Sequence, residues 1–99
     1  MQQEQEPTRR PLFSLGDVVI TPGALDAFKA TGERITRYLA MHQCGEWGQL
    51  DRHDIRENEY ALKHGLRLLS AYHLQDNIKI WIWTEADRSS TCVMLPSEY

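Results

Sequence analysis

The stretch that most limits what this chain can fold into is its C-terminal third, LRLLSAYHLQDNIKIWIWTEADRSSTCVMLPSEY, from Leu66 to Tyr99. It holds three apolar segments with a period of two, separated by turn-forming residues, and a two-residue period is the mark of a half-buried strand. In the first segment Leu66, Leu68, Ser70, Tyr72 and Leu74 share one face, while Arg67, Leu69, Ala71 and His73 share the other. Gln75-Asp76-Asn77 supplies a turn. In the second segment Ile78, Ile80 and Ile82 oppose Lys79, Trp81 and Trp83. After the polar loop Glu85 to Ser90, Thr91, Val93 and Leu95 oppose Cys92 and Met94, and Pro96 ends the run. The pattern predicts an antiparallel β-meander whose isoleucines meet the helices, which leaves the two tryptophans on the outer surface or under the N-terminal segment.

Upstream, the periodicity changes to that of helices. Thr21-Pro22 is a strong helix start, with a capping hydroxyl followed by a residue that loses only an N–H left unpaired in any first turn. Ala24, Leu25 and Phe28 form its apolar face until Thr31-Gly32. Ile35, Tyr38, Leu39 and His42 then fall at i, i+3, i+4 and i+7, which predicts a second helix from Glu33 to His42 or Gln43. Gly45 and Gly48 bracket a loop containing Trp47, whose large area favours a core plug over an exposed anchor. Asp51 caps a third helix. Leu50 and Ile55 staple its start, Ile55 and Leu62 face inward with Tyr60 or Ala61, and Gly65 follows its end. Phe13 to Ile20 predicts a turn at Gly16-Asp17 and a short strand. The expected fold is therefore α+β, with two to three N-terminal helices packed on one face of a small antiparallel β-meander. Residues 1–11 are polar and proline-containing and are expected to form a flexible tail, leaving 12–99 as one domain.

Composition narrows the function classes. Eleven Lys and Arg against fourteen Asp and Glu leave a net charge of −3, and the basic residues are scattered. Nucleic-acid binders need a basic excess or stripe, so the charge argues against such a partner. No apolar run reaches the length of a membrane span, and the polar N-terminus has no export signal. Cys44 and Cys92 are far apart, outside any C-x-x-C spacing, and read as reduced thiols in a cytoplasmic protein.

The search for chemistry yields little. His42, His53, His64 and His73 sit on different predicted elements without a zinc-site spacing, so no metal and no other cofactor is expected. No Gly-rich phosphate loop, nucleophile elbow or H-E-x-x-H occurs, and no catalytic residue is assigned. The loop Thr84-Glu85-Ala86-Asp87-Arg88-Ser89 has two readings. Paired acids beside an arginine can do acid–base work, but in a turn the same residues cap backbone N–H groups. A binding surface is expected at Arg67, Trp81, Trp83, Glu85, Asp87 and Arg88, since exposed tryptophan and arginine dominate protein interfaces. The partner would be an unidentified protein. Edge strands at Thr91–Leu95 or Leu66–Leu74 also offer a route to a homodimer.

Several motifs resemble a known family. Thr21-Pro22-Gly23-Ala24-Leu25, His42-Gln43-Cys44-Gly45-Glu46-Trp47-Gly48, Asn58-Glu59-Tyr60-Ala61-Leu62 with Gly65, and Arg67-Leu68-Leu69-Ser70-Ala71-Tyr72 are part of it. So are Trp81-Ile82-Trp83-Thr84-Glu85-Ala86-Asp87-Arg88-Ser89 and Leu95-Pro96-Ser97-Glu98-Tyr99. Over about residues 12–99 the chain is similar to small proteins of plasmids, phages and integrative elements, often labelled "plasmid-related protein". That resemblance implies a mobile genetic element as the setting and assigns no catalytic role. It implies a non-enzymatic accessory protein that acts by protein binding, with host defence as the target. In element order the chain also resembles toxins of the RelE and ParE families. This second resemblance implies Arg67, Tyr72, Lys79, Arg88 and Tyr99 as candidates for RNA cleavage on the sheet. Those toxins are strongly basic, whereas this chain is acidic, which argues against ribonuclease chemistry.

Overall fold

The computed structural model describes residues 10–99. The tail expected over residues 1–11 therefore lies outside the described residues except for Arg10 and Pro11. In chain order the elements are β1 (Asp17–Ile20), α1 (Pro22–Thr31), α2 (Ile35–Gln43), α3 (Arg52–His64), β2 (Leu68–His73), β3 (Lys79–Thr84) and β4 (Ser90–Met94). Short 3-10 turns occur at Gln75–Asn77 and Pro96–Glu98.

The helix ends form where local chemistry places them. Thr21 accepts a hydrogen bond from the Ala24 N–H with Pro22 in the first turn. The Asp51 carboxylate accepts from the Asp54 N–H at 2.8 Å. Gly65, at φ 67, closes α3 in the left-handed conformation, with its N–H donating to the Ala61 carbonyl. The second helix starts at Ile35, two residues later than expected, with Arg34 as its N-cap in the extended conformation at φ −96 and ψ 124.

The sheet has four strands in the order β1-β4-β3-β2. Strands β2, β3 and β4 form the expected antiparallel meander. The sheet as a whole is mixed, however, because β1 runs parallel to β4, with Asp17 opposite Ser90 and Ile20 opposite Val93. This corrects the purely antiparallel expectation. Three helices lie between β1 and the meander, so the chain crosses the sheet and returns with its last strand beside its first.

One face of the sheet carries the core. Ile80, Ile82 and Val93 are fully buried, and Tyr72 and Leu74 nearly so, against Ala24, Ala27 and Phe28 of α1. Each buried aliphatic side chain contributes about 1.5–3 kcal/mol. Ile35, Tyr38, Leu39 and Met41 of α2 pack against this cluster. A second cluster gathers Trp47, Ala61 and Leu68, with Phe13, Leu50, Ile55 and Leu62 against them. Trp47 is thus the plug its area suggested. On α3 the inward residues are Asn58 and Ala61, while Tyr60 is exposed, which settles the choice between Tyr60 and Ala61.

Asn58 is inward because it completes an edge. Its side-chain amide donates to the Leu69 carbonyl at 2.5 Å and accepts from the Leu69 N–H at 3.1 Å. Two residues along β2, the Ala71 N–H donates to the Trp47 carbonyl, and the Ala71 carbonyl accepts from the Gln49 N–H. This approach requires glycine at position 48: at φ 79, a Cβ there would lie 2.1 Å from the Ala71 oxygen. The free edge expected at β2 is therefore covered, and the one expected at β4 does not exist, because β4 is an interior strand between β1 and β3.

Candidate binding face on the open side of the sheet

The register sorts the side chains of the second face into rows. Val19, Cys92, Trp83 and Leu69 lie across the four strands in one row. Met94, Trp81 and Ala71 form the next. Polar ends border these two apolar rows. Lys79 faces His73 at one end, and Asp17 faces Ser90 at the other, where Arg67 and Glu85 approach to 3.6 Å. An apolar centre with a polar rim is the general anatomy of a protein interface.

Tyr99 completes the centre. The turn Pro96–Glu98 is held by the Glu98 carboxylate, which accepts from the Thr21 hydroxyl at 2.5 Å, the Gly23 N–H at 2.9 Å and the Leu95 N–H at 2.9 Å. These donors, the Thr21 hydroxyl first, hold Glu98 below the usual carboxylate range. Tyr99 is thereby laid along Trp83, with ring centroids 5.3 Å apart and planes at 23°. Trp81 meets both rings edge-on, at 5.8 Å from Tyr99 and 6.1 Å from Trp83. The Arg67 guanidinium stands 4.4 Å over the Trp83 ring. Tyr99 remains 68 % exposed and Val19 54 %, while the tryptophans are half-buried. Among the described residues, the Trp83 indole N–H finds no hydrogen-bond partner and is buried from solvent.

Of the six residues expected to form a surface, four converge here: Arg67, Trp81, Trp83 and Glu85. Asp87 and Arg88 are occupied by the loop itself. Asp87 accepts from the Ser89 N–H at 3.0 Å, and hydrogen bonds from the Ser89 side chain and backbone hold its carboxyl below the ordinary range. Arg88, at φ 61, turns its guanidinium towards α3 and donates to the carbonyls of Leu66, Glu85, Ala86 and Ala61. A cation on the last carbonyls of α3 is also favoured by the helix dipole. The residues implied by the toxin-like element order are similarly divided. Tyr72 lies on the core face and donates to the Glu46 carbonyl, whereas Arg67, Lys79 and Tyr99 lie on the open face.

Val19, Cys92 and Met94 were not among the expected surface residues, and Tyr99 was expected on the sheet only through the toxin-like resemblance. Their signal was available in part, since Cys92 and Met94 share the alternation of the tryptophans. Their row partners across β1 were not, because that pairing is remote in sequence.

The core face also holds a polar chain. His42 is fully buried beneath Phe13, whose ring stands edge-on at 5.2 Å, and beside Trp47. Its Nδ1 lies 2.5 Å from the Ser70 hydroxyl and its Nε2 2.8 Å from that of Thr84. Thr84 and Thr91 hydroxyls are 2.8 Å apart, and Thr91 donates to the Leu15 carbonyl at 2.8 Å. A carbonyl only accepts, so the direction follows: Thr84 donates to Thr91, His42 Nε2–H donates to Thr84, and Ser70 donates to Nδ1. Burial, with the Arg88 charge adding to it, pushes the His42 pKa down from 6.5 to about 3. A serine beside a histidine invites a catalytic reading, but this pair is sealed from solvent and every member of the chain has a partner.

A cleft of about 200 Å³ adjoins the rim, lined by Asp54, Asn58, Arg67, Leu69 and Trp83 among others. Among the described residues, no group of three or more His, Cys, Asp or Glu could hold a metal ion, and no helix is long and apolar enough to cross a membrane. Comparisons with protein-family models, with curated proteins and with solved structures give no match.

Proposed function

We propose that this chain is a binding protein without catalytic activity, an accessory of a mobile genetic element that contacts a protein of the host's defence through the open face of its sheet. The carrying observation is the two-row apolar band built around Trp81, Trp83 and Tyr99, which no described helix covers. Aromatic and arginine side chains presented together on a rigid sheet are the composition from which binding hot spots are made. Cys44 and Cys92 are not joined in a disulfide, which fits work in the cytoplasm. The mobile-element setting rests on the sequence motifs.

The test is capture from a host lysate with the wild-type chain and three variants. The wild-type chain should retain a stoichiometric partner. Trp81→Ser and Tyr99→Ser should lose it, by at least about tenfold in affinity for a hot-spot residue. Tyr60→Ser, on the exposed side of α3, should keep it. Equal capture by all three variants would sink the reading. The toxin-like alternative has less support, because Tyr72 and Arg88 are taken up by the fold; growth arrest on strong induction would favour it instead.

A further inference from the structure

The two edges of the sheet are treated differently. The β2 edge is closed by Asn58 and by the Trp47 to Gln49 backbone. Among the described residues, the β1 edge is open. Asp17 and Thr21 donate to the carbonyls of Ser89, just before β4, and Val93 within it. Alternation then puts Val19 with them and turns the N–H and C=O of Val18 and Ile20 away from the sheet. No described residue is hydrogen-bonded to these groups. The flanking side chains are apolar on both faces: Val18 points to the helix side and is 41 % exposed, Val19 to the open side and is 54 % exposed. Lysine, proline and bulges, three common protections of a bare edge, do not occur within β1, whose one charge is Asp17 at its start.

We propose that β1 pairs antiparallel with β1 of a second copy about a two-fold axis at Val19, joining two four-stranded sheets into one of eight strands. The outward donors and acceptors are self-complementary in this register. Val18 pairs with Ile20 of the second copy and Ile20 with its Val18, for about four backbone hydrogen bonds. Val19 then faces its own counterpart on the open side, and the apolar row Leu69, Trp83, Cys92, Val19 continues across the axis. The two aromatic faces become a single surface. The cost falls at the ends of the seam. Asp17 comes opposite Thr21 of the second copy, whose hydroxyl the Glu98 carboxylate holds, so two acids meet at each end.

That cost gives the register a signature. Light scattering of the whole chain over a concentration series should show a dimer that tightens with added salt and with Asp17→Asn. Val19→Lys, which places two cations face to face at an exposed position, should weaken it at least about tenfold. A Val19→Cys, Cys92→Ser chain should oxidise to a covalent dimer, because a non-hydrogen-bonded antiparallel pair holds its Cα atoms about 4.5 Å apart, within disulfide reach. Circular dichroism matching the wild type guards against misfolding of the lysine variant, and the cysteine chain tests the pairing without introducing a charge. A monomer at every concentration overturns the proposal. So does a dimer that survives Val19→Lys and is lost in Trp81→Ser, which would place the contact on the sheet's open face.

Discussion

His42 shows at the scale of one residue how a polar group can serve a core. Its ring is buried neutral, so unfolding below about pH 6.5 takes up a proton that the folded chain, with a pKa of about 3, refuses. The stabilisation is complete above pH 6.5 and is lost as pH falls towards 3, with a slope of about 1.4 kcal/mol per pH unit. Urea unfolding at pH 7 and pH 5 should therefore differ by about 2 kcal/mol from this group. In His42→Leu that difference should disappear, while stability at pH 7 drops by about 2–4 kcal/mol because the Ser70 and Thr84 hydroxyls lose their partner. An unchanged slope in the variant would assign the acid sensitivity elsewhere. Arg88 makes the complementary point. It looked like a surface hot spot and is a clamp on four carbonyls, so Arg88→Ala should cost about 2 kcal/mol of stability, read in the same unfolding experiment.

Among the elements, the helices were legible and the sheet edges were not. Thr21-Pro22, Asp51 and Gly65 act within a few residues of themselves, so their chemistry is written locally. Trp81 and Trp83 were separable from Ile80 and Ile82 because strand alternation is also local. Asn58 could not be read this way: its partner is the backbone of Leu69, on another element, and a buried asparagine looks like any other polar residue of a helix. The same holds for Ser70, Thr84 and Thr91, whose shared histidine lies on α2, and for the pairing of β1 with β4. The edge closure carries its own prediction. Asn58→Ala should cost about 2 kcal/mol by leaving the Leu69 N–H and carbonyl unsatisfied, with faster hydrogen exchange at the Leu69 amide. Gly48→Ala should cost about as much or more, since its Cβ would press on the Ala71 oxygen and the Tyr72 ring. Unaltered exchange in β2 for both variants would mean the edge is held by something else.

For the molecule as a whole, the pairing that matters most is between its most distant parts. Thr21 and Val93, hydrogen-bonded across the β1–β4 junction, are 72 positions apart. A contact of that separation carries a loop-closure cost that the meander does not, so β1 should dock after β2, β3 and β4 are assembled. Ile20 packs against the main core from this late strand. Ile20→Ala should therefore lose about 2 kcal/mol, appearing almost entirely as unfolding about thirtyfold faster, with the folding rate nearly unchanged. A stopped-flow chevron measures both arms, and slower folding would place β1 in the nucleus.

A strand that arrives late and from far away need not be covalently attached to arrive at all. Gly32 sits in an open turn between α1 and α2, with no described residue outside its chain neighbours within 4 Å of where a Cβ would be. A chain severed there falls into a segment carrying β1 with α1 and a segment carrying α2, α3 and the meander. Glu98 on the second segment grips Thr21 and Gly23 on the first. The first piece holds one strand of the sheet and the second the other three, with the core shared between them, and mixing the two should rebuild the fold.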